Sequence, residues 1–224
     1  KIKQAIDSIT EGERIEMVAT DAGFSRDAQA WCDTTGNRLI SNSEEKGKYT
    51  VIIEKGSSGA STMPLEHDAK GKTLIMFSDD LDKALATFVL ANGAAATGQP
   101  VTIFFTFWGL NVIKKQQKPA VSKDIFGKMF GWMLPAHSGK LKLSKMNMGG
   151  AGSWMMRLIM KQKRIDSLES LIQQAVDNGV EMIACTMSMD VMGVQKEELM
   201  DNVTLGGVAS YLERAEEANV NLFI

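Results

Sequence analysis

The amino-acid sequence predicts an α/β protein with a parallel sheet, preceded by a smaller α+β module. From residue 72 onward, short continuous apolar runs alternate with longer helical stretches, as expected for a parallel sheet covered on both faces. Residues 1–55 instead follow the order helix, strand, helix and β-hairpin. Residues 56–71 are rich in Gly, Ser, Ala and Thr and show no apolar period, which is typical of an exposed linker. We therefore predict two domains, 1–55 and 72–224, joined by linker 56–71.

Five apolar runs in the second domain have the length of buried parallel strands. They cover residues 73–77, 101–105, 181–185, 202–205 and 221–224. Helices are predicted between them at residues 81–97, 167–178, 196–200 and 206–218, with Gly98 and Gly179 ending the first two. Residues 106–163 are too long for a simple crossover and are rich in Met, Trp, Gly and Lys. This insertion is expected to be either a mobile cover or a surface for another subunit.

The first domain alternates polar and apolar residues at 14–19, which predicts a half-buried strand. A helix follows up to about Cys32 and is closed by Gly36, and residues 37–43 and 48–54 are expected to form a hairpin. An apolar helical period is already present in the first residues of the chain. We therefore expect the chain to start inside a helix, with further sequence lost upstream.

The charge balance indicates no global electrostatic field. The chain has 25 Lys and Arg against 27 Asp and Glu, so neither nucleic acid nor an anionic membrane surface is indicated as a partner. No secretory signal opens the chain, and its apolar runs are shorter than the ~20 residues that span a bilayer. These features predict a soluble, cytoplasmic protein without a membrane span.

The cysteines and histidines do not indicate metal or disulfide chemistry. Cys32 and Cys185 are far apart in sequence, and His67 and His137 are isolated from them and from each other. The chain has no CxxC, no metal-ligand spacing, no Ser-His-Asp set and no Walker loop. We therefore expect neither a metal nor a cofactor. Cys32 stands next to Trp31 on the apolar face of a predicted helix and is expected to be a core residue.

Cys185 is the candidate reactive residue because it ends a predicted strand, where we expect its thiol to be presented. In an open parallel sheet, ligands and reactive groups gather at the carboxyl ends of the strands. The residues after Cys185 could open a helix, whose free amide groups would favour a thiolate. The predicted site-lining residues follow this strand and two others at the same rim: Ser78, Asp79, Trp108, Gly109, Met187, Ser188, Met189 and Asp190.

These residues also have a purely structural interpretation. A free cysteine is among the most buried residue types, so position alone leaves Cys185 open between reaction and packing. Asp79 and Asp80 are suited to cap the helix that follows them. Carboxylates from Asp79, Asp80 or Asp190 would disfavour the thiolate if they lay close to it. The sequence does not reveal which of these groups face the sulfur.

The second domain, from residue 72 to 224, resembles the DsrE/DsrF-like proteins, particularly the larger variety labelled peroxiredoxin-like. The matching segments are Ser-Asp-Asp at 78–80, Phe-Trp-Gly at 107–109, Lys-Met-Asn-Met-Gly-Gly at 145–150 and Ala-Cys-Thr-Met-Ser-Met-Asp-Val-Met-Gly at 184–193. The last of these is the specific one. The resemblance implies a flavodoxin-like parallel sheet, homo-oligomers and a persulfide-carrying cysteine, which falls on Cys185.

The first domain resembles the TusA-like (SirA-like) proteins, through Ala-Thr-Asp-Ala-Gly-Phe at 19–24 and Ala-Trp-Cys at 30–32. In that family the working thiol lies in a Cys-Pro-x-Pro motif at the head of the first helix, and this chain has no such motif. The resemblance implies a two-layer α+β domain that lacks its first strand here, and Cys32 does not inherit the catalytic role. Tandem domains of this kind are similar to the tails of multidomain proteins that also carry rhodanese and flavin-dependent CoA-disulfide reductase modules.

These resemblances predict a sulfur-transfer role. Two alternative roles remain open. The Cys185 thiolate would accept a sulfane sulfur as a persulfide, from a donor protein or a low-molecular-weight persulfide, and pass it to an acceptor thiol. A thiol redox protein is the first alternative, for which only Cys32 could resolve a sulfenic acid within the chain. The second is a non-catalytic oligomerisation module in which Cys185 is merely packed, and burial of the sulfur would favour it.

Overall fold

The computed structural model describes residues 2–20, 24–56, 70–117, 119, 121, 123 and 125–224. Most of the predicted linker, 56–71, lies outside these residues. The chain divides into two compact units, which are residues 1–68 with 96–98 and residues 69–95 with 99–224. Each unit has a hydrophobic core of its own.

The first unit packs two helices on an antiparallel sheet. Its elements are α1 (Ile2–Asp7), β1 (Arg14–Ala19), α2 (Phe24–Thr35), β2 (Arg38–Glu45) and β3 (Lys48–Glu54), with strand order β1-β3-β2. The predicted hairpin joins β2 to β3 through Lys46 and Gly47, which both have positive φ, as a two-residue type I′ turn requires. Cys32 is buried in the core of this unit, as predicted.

The second unit is built on a five-stranded parallel sheet. Its strands are β4 (Gly71–Met76), β5 (Val101–Phe105), β6 (Glu181–Cys185), β7 (Val203–Gly206) and β8 (Ala218–Phe223). Its helices are α3 (Leu81–Ala96), α4 (Ile125–Met133), α5 (Ala151–Gln162), α6 (Leu168–Asp177), α7 (Thr186–Met192) and α8 (Val208–Glu216). Short 3-10 helices lie at Phe107–Ile113, Ser138–Lys140, Met148–Gly150 and Lys196–Glu198. The predicted α/β class with an open, flavodoxin-like parallel sheet is therefore confirmed.

Strand order decides which face of the sheet each helix covers. The strands lie in the order β7-β6-β5-β4-β8, and neighbouring strands are parallel. From β4 to β7 each new strand is added on the same side, so right-handed crossovers place α3, α6 and α7 on one face. The step from β7 to β8 runs back across the sheet, and the same handedness places α8 on the other face. Within the second unit, α8 supplies the helix residues of the buried cluster on that face.

Two clusters of buried side chains correspond to these two faces. The main core lies under α3, α6 and α7 and includes Leu74, Met76, Phe88, Ile103, Phe105, Leu168, Ile172, Met182, Ala184 and Met189. A smaller cluster lies under α8 and contains Phe104, Ile183, Cys185 and Tyr211. Successive residues along β5, and likewise along β6, belong to different clusters because side chains alternate between the two faces of a sheet.

The predicted helix at 196–200 is wrong beyond a single turn. A 3-10 turn forms at Lys196–Glu198. Leu199 then leaves the helical path, because it is buried and its backbone forms an antiparallel bridge with Lys114. A long-range contact therefore overrides the local helical signal.

The first part of the long connection after β5 differs from the mobile cover or subunit surface predicted for the whole of it. It begins with the 3-10 helix Phe107–Ile113, in which residues 109–113 are buried. This first part belongs to the core, and α4 and α5 follow it. Within the described part of the chain, every helix is too short or too polar to cross a bilayer.

Candidate functional site

Cys185 lies where strand β6 ends and helix α7 begins. It is the last residue of β6 and the N-cap residue of α7, so the predicted strand end and helix start are both present. Along β6, Met182 and Ala184 belong to the main core, whereas Ile183 and Cys185 belong to the cluster under α8. The thiol of Cys185 therefore points to the face that α8 covers.

Helix α8 contributes to a cover that leaves Cys185 only 1% exposed. The buried cluster that holds Cys185 also contains Phe104 from β5, Ile183 from β6 and Tyr211 from α8. The ring of Tyr211 lies 5.2 Å from that of Phe104, and its hydroxyl is 3.3 Å from Oγ1 of Thr73. The expectation of an accessible thiol is therefore wrong for this conformation, because strand order puts α8 on the same face.

An ion pair ties α8 to β6 near this cluster. Arg214 on α8 donates from Nε to Oε2 of Glu181 at 3.0 Å, and Oγ1 of Thr102 donates to the same oxygen at 2.8 Å. Burial raises the pKa of Glu181, but the hydrogen bonds from Arg214 and Thr102 and the charge of Arg214 outweigh burial. The pKa of Glu181 consequently lies below its ordinary value of 4.5. The ionised carboxylate is thus the form that holds α8.

We expect acid to weaken this attachment through Glu181. A carboxyl group with a lowered pKa in the folded state stabilises that state above its unfolded pKa, and the contribution is lost as the pH falls through the folded pKa. Below about pH 4.5 the wild type should therefore lose stability more steeply than Glu181→Gln, which lacks the titrating group. Urea unfolding at a series of pH values measures this difference. Identical pH profiles for the two proteins would contradict the prediction.

Asp79 belongs to a chain of polar contacts that leads away from the rim. Nδ2 of Asn111 donates to Oδ2 of Asp79 at 2.8 Å, and Nζ of Lys114 donates to Oδ1 of Asn111 at 2.6 Å. Burial raises the pKa of Asp79 above its ordinary value of 3.8, and the charge of Asp80 acts in the same direction. The hydrogen bond from Asn111 and the charge of Lys114 oppose this rise. The Asp79 carboxylate is therefore engaged by a buried amide.

Ser78 and Gly109 serve the local structure at the end of β4. Oγ of Ser78 donates to a carboxylate oxygen of Asp80 at 2.8 Å and accepts from its backbone N–H at 3.1 Å, just before α3 begins. Gly109 is buried so close to β4 that a Cβ would lie 2.0 Å from the carbonyl oxygen of Met76. Trp108, beside it, is 39% exposed. Ser78 therefore stabilises the turn before α3, which agrees with the structural interpretation of this segment. Gly109 allows the backbone to pack directly against β4.

Helix α7 is attached to the main core on the other side of the sheet from the thiol. Ser188 is fully buried, and its Oγ lies 2.8 Å from Oγ1 of Thr106, at the end of β5. Met189 packs in the main core, whereas Met187 and Asp190 are exposed. The predicted site-lining residues of α7 therefore have contacts of their own, apart from the cluster that holds Cys185.

The neighbours of Cys185 are residues that the sequence did not indicate. Tyr211 of α8 belongs to the same buried cluster as Cys185, and no local pattern around either residue signals that they share it. Their proximity depends on the order of the strands in the sheet, and local sequence periodicity does not reveal that order.

A cavity of about 700 Å³ is lined by Lys114, Lys115 and Glu169, among others, and not by Cys185. Among the described residues, no group of three or more His, Cys, Asp or Glu could hold a metal ion.

The comparison with protein families covers nearly the whole chain. Residues 68–223 match the model of the DsrE/DsrF/DrsH-like family. This chain belongs to that family. Residues 1–55 match the model of the sulfurtransferase TusA. The DsrE/DsrF/DrsH-like match includes Cys185 and the whole cluster under α8.

Individual relatives agree with both family matches. An uncharacterised protein of Bacillus subtilis, YrkE, is 46% identical over 160 residues, which is 71% of this chain and 100% of YrkE. The sulfur carrier protein DsrE2 of Allochromatium vinosum is 35% identical over 161 residues, covering 70% of this chain and 99% of DsrE2. The sulfur carrier protein TusA of the same organism is 33% identical over 55 residues, covering 25% of this chain and 72% of TusA. The relatives support a general role in sulfur carriage.

Proposed function

We propose that this chain is a sulfur-transfer module in which the Cys185 thiolate carries a sulfane sulfur as a persulfide. Membership of the DsrE/DsrF/DrsH-like family and the 35% identity to a named sulfur carrier support this role. The observation that carries the residue assignment is the position of Cys185 at the end of β6 and the start of α7. The other cysteine, Cys32, is buried in the core of the first unit.

The transfer is an exchange between sulfur atoms and requires no cofactor. The Cys185 thiolate attacks the outer sulfur of a donor persulfide, the donor's sulfur–sulfur bond breaks, and the electron pair leaves with the donor thiolate. Cys185 then carries one additional sulfur. An acceptor thiolate attacks that outer sulfur in the same way and regenerates the Cys185 thiolate. No net oxidation or reduction of the protein takes place over the cycle.

Access to the thiol requires α8 to move. Cys185 is buried in one cluster with Tyr211 of α8, and α8 is held by the ion pair from Arg214 to Glu181 and by packing. Both charged side chains are partly exposed, so the ion pair contributes little to stability. Opening of one short helix exposes the thiol without disturbing the main core on the opposite face. We therefore assign loading and unloading of sulfur to a state in which α8 is displaced.

Intact mass after incubation with polysulfide or a small-molecule persulfide tests the assignment. The wild type and the matched control Cys32→Ser should each gain the mass of one sulfur atom, and reduction should remove it. Cys185→Ser should gain none, because the attacking sulfur is absent. A mass gain that persists in Cys185→Ser, or that disappears in Cys32→Ser, would overturn the assignment.

The burial of Cys185 favours a second candidate, an assembly module in which the thiol only packs. In that case no sulfur donor would load the folded protein, and Cys185→Ala would leave its oligomeric state unchanged. The redox alternative needs a resolving thiol, and Cys32 lies in the core of the other unit. Peroxide treatment that forms a stable sulfenic acid, without loading by sulfur donors, would favour redox chemistry instead.

We further propose that residues 1–55 are a TusA-like domain lacking its Cys-Pro-x-Pro motif, and that residues 72–224 are the DsrE-like domain beyond linker 56–71. The pair resembles the tail of a multidomain protein with rhodanese and CoA-disulfide reductase modules. Its donor and acceptor would then be domains of such proteins or low-molecular-weight persulfides. We place the protein in the cytoplasm as a homo-oligomer. Light scattering on the purified chain measures the oligomeric state.

A further inference from the structure

Charge is segregated along this nearly neutral chain. Residues 106–164 contain twelve Lys and Arg and one acidic residue, whereas residues 165–224 contain two Lys and Arg and eleven acidic residues. The formal net charge of the whole chain is nevertheless −2. The overall balance therefore hides a strongly basic segment. The exclusion of an anionic surface applies to the chain as a whole and not to this segment.

Helix α5, within the basic segment, turns an apolar face to the solvent. Trp154, Met155, Leu158 and Ile159 are 67%, 46%, 50% and 37% exposed. Their spacing of one, three and four residues places them together on one side of the helix. An exposed apolar face of this kind marks an interaction site.

The opposite face of α5 is firmly attached to the domain. Arg157 donates to the carbonyl oxygen of Ser138 at 2.8 Å and forms an ion pair with Glu169 at 3.3 Å. Gly152 packs so closely that a Cβ would lie 2.0 Å from the carbonyl oxygen of Met146. Met160 is buried on the inner side as well, so α5 carries apolar residues on both sides. A helix whose outer side faces only water has polar residues on that side.

Cations follow this apolar face at the end of α5. Lys161, Lys163 and Arg164 are exposed and form no ion pair with any described residue. A helix with Trp and aliphatic residues on one side and Lys and Arg next to them suits the boundary of an anionic bilayer. Trp is favoured in that zone because its ring is apolar and its N–H is polar.

We propose that α5 docks this protein on the surface of an anionic lipid bilayer, with Trp154 and Leu158 entering the headgroup zone and no segment crossing the membrane. A second copy fits the surface less well, because an isologous contact would bring the same cations together. Nucleic acid also fits less well, because Leu158 and Ile159 offer nothing to phosphates or bases. Docking does not involve Cys185 and so extends beyond the sulfur chemistry.

Co-sedimentation with vesicles tests the proposal. The full chain should bind vesicles of phosphatidylcholine with phosphatidylglycerol, and binding should weaken at high salt or with phosphatidylcholine alone. Trp154→Ser with Leu158→Ser should lower the partition coefficient at least about tenfold, and Lys161→Glu with Lys163→Glu about tenfold. The control, Val89→Ser with Leu90→Ser, removes exposed apolar residues from α3 and should bind within about twofold of the wild type.

Four results would overturn the proposal. One is a chain that stays in the supernatant with anionic vesicles, and another is equal binding to neutral and anionic vesicles. A third is a control variant that loses as much binding as the α5 variants. The last is an oligomer that the Trp154 and Leu158 substitutions dissociate while vesicles leave the wild type unbound, which would assign the face to a second copy. Cys185→Ser should bind vesicles like the wild type whatever the outcome of the sulfur-loading experiment.

Discussion

Replacing Tyr211 by Ala is expected to raise the reaction rate of the Cys185 thiol by roughly a hundredfold. Tyr211 is 8% exposed, and its ring packs against Phe104 in the cluster that holds the sulfur. Loss of the ring destabilises the closed position of α8 by about 3 kcal/mol. The ring contributes little to the state in which α8 is displaced. Nearly all of the lost free energy therefore appears as a larger population of that state. Release of a coloured thiolate from an aromatic disulfide reagent, in a Cys32→Ser background, measures the rate.

Tyr211→Phe is the matched control for this prediction. It keeps the ring and removes the hydroxyl that lies 3.3 Å from Oγ1 of Thr73, so we expect a rise of less than about tenfold. Low concentrations of urea separate local opening from global unfolding, because the urea dependence grows with the surface exposed. A thiol rate that follows global unfolding in urea, or equal rates for the Ala and Phe variants, would rule out α8 as the movable cover.

Gly109→Ala is expected to cause the largest loss of stability among single substitutions near the strand ends, roughly 3 kcal/mol. The added Cβ would lie 2.0 Å from the carbonyl oxygen and 2.8 Å from the carbonyl carbon of Met76. Neither backbone segment can easily shift, because the Gly109 N–H donates to the Phe77 carbonyl at 2.9 Å and Met76 pairs with Phe105 in the sheet. Urea unfolding of the purified variant measures the loss.

Gly93→Ala provides the comparison. Gly93 lies in the exposed part of α3, and a Cβ there would meet nothing within 4 Å. Alanine has the higher helix propensity, so this variant should gain about 0.5–1 kcal/mol. Similar changes in stability for the two Gly→Ala variants would show that the close approach at Gly109 relaxes at little cost.

Sequence periodicity was sufficient for the central strands of the second unit. The apolar runs at 101–105 and 181–185 are β5 and β6 with the same bounds, because a strand buried on both faces is continuously apolar. Gly98 and Gly179 have positive φ after α3 and α6, as residues that end helices do. These features depend on a few neighbouring residues, which is why one sequence was enough to predict them.

The surroundings of Cys185 could not be predicted in the same way. Which face its side chain enters, and what covers that face, depends on the pairing of β8 with β4 rather than with β7. That pairing joins segments that are far apart in the chain. The amide of Asn111 was missed for a related reason, because its partner Asp79 is reached through the packing of a 3-10 helix on the sheet. The basic segment at residues 106–164 was missed because the total numbers of acidic and basic residues do not show where along the chain these residues lie.

The position of β8 next to β4 also sets the order in which the molecule is completed during synthesis. A ribosome delivers β4, β5 and β6 before α8 and β8, and these three strands can pair as soon as they emerge. Tyr211 and β8 follow later, and β8 must pair with the edge formed by the earliest strand of this sheet. The cover that α8 gives to Cys185 is therefore absent until α8 and β8 have both been synthesised and have docked. We therefore expect the Cys185 sulfur to be oxidised more readily in the nascent chain than in the folded protein, where it is buried.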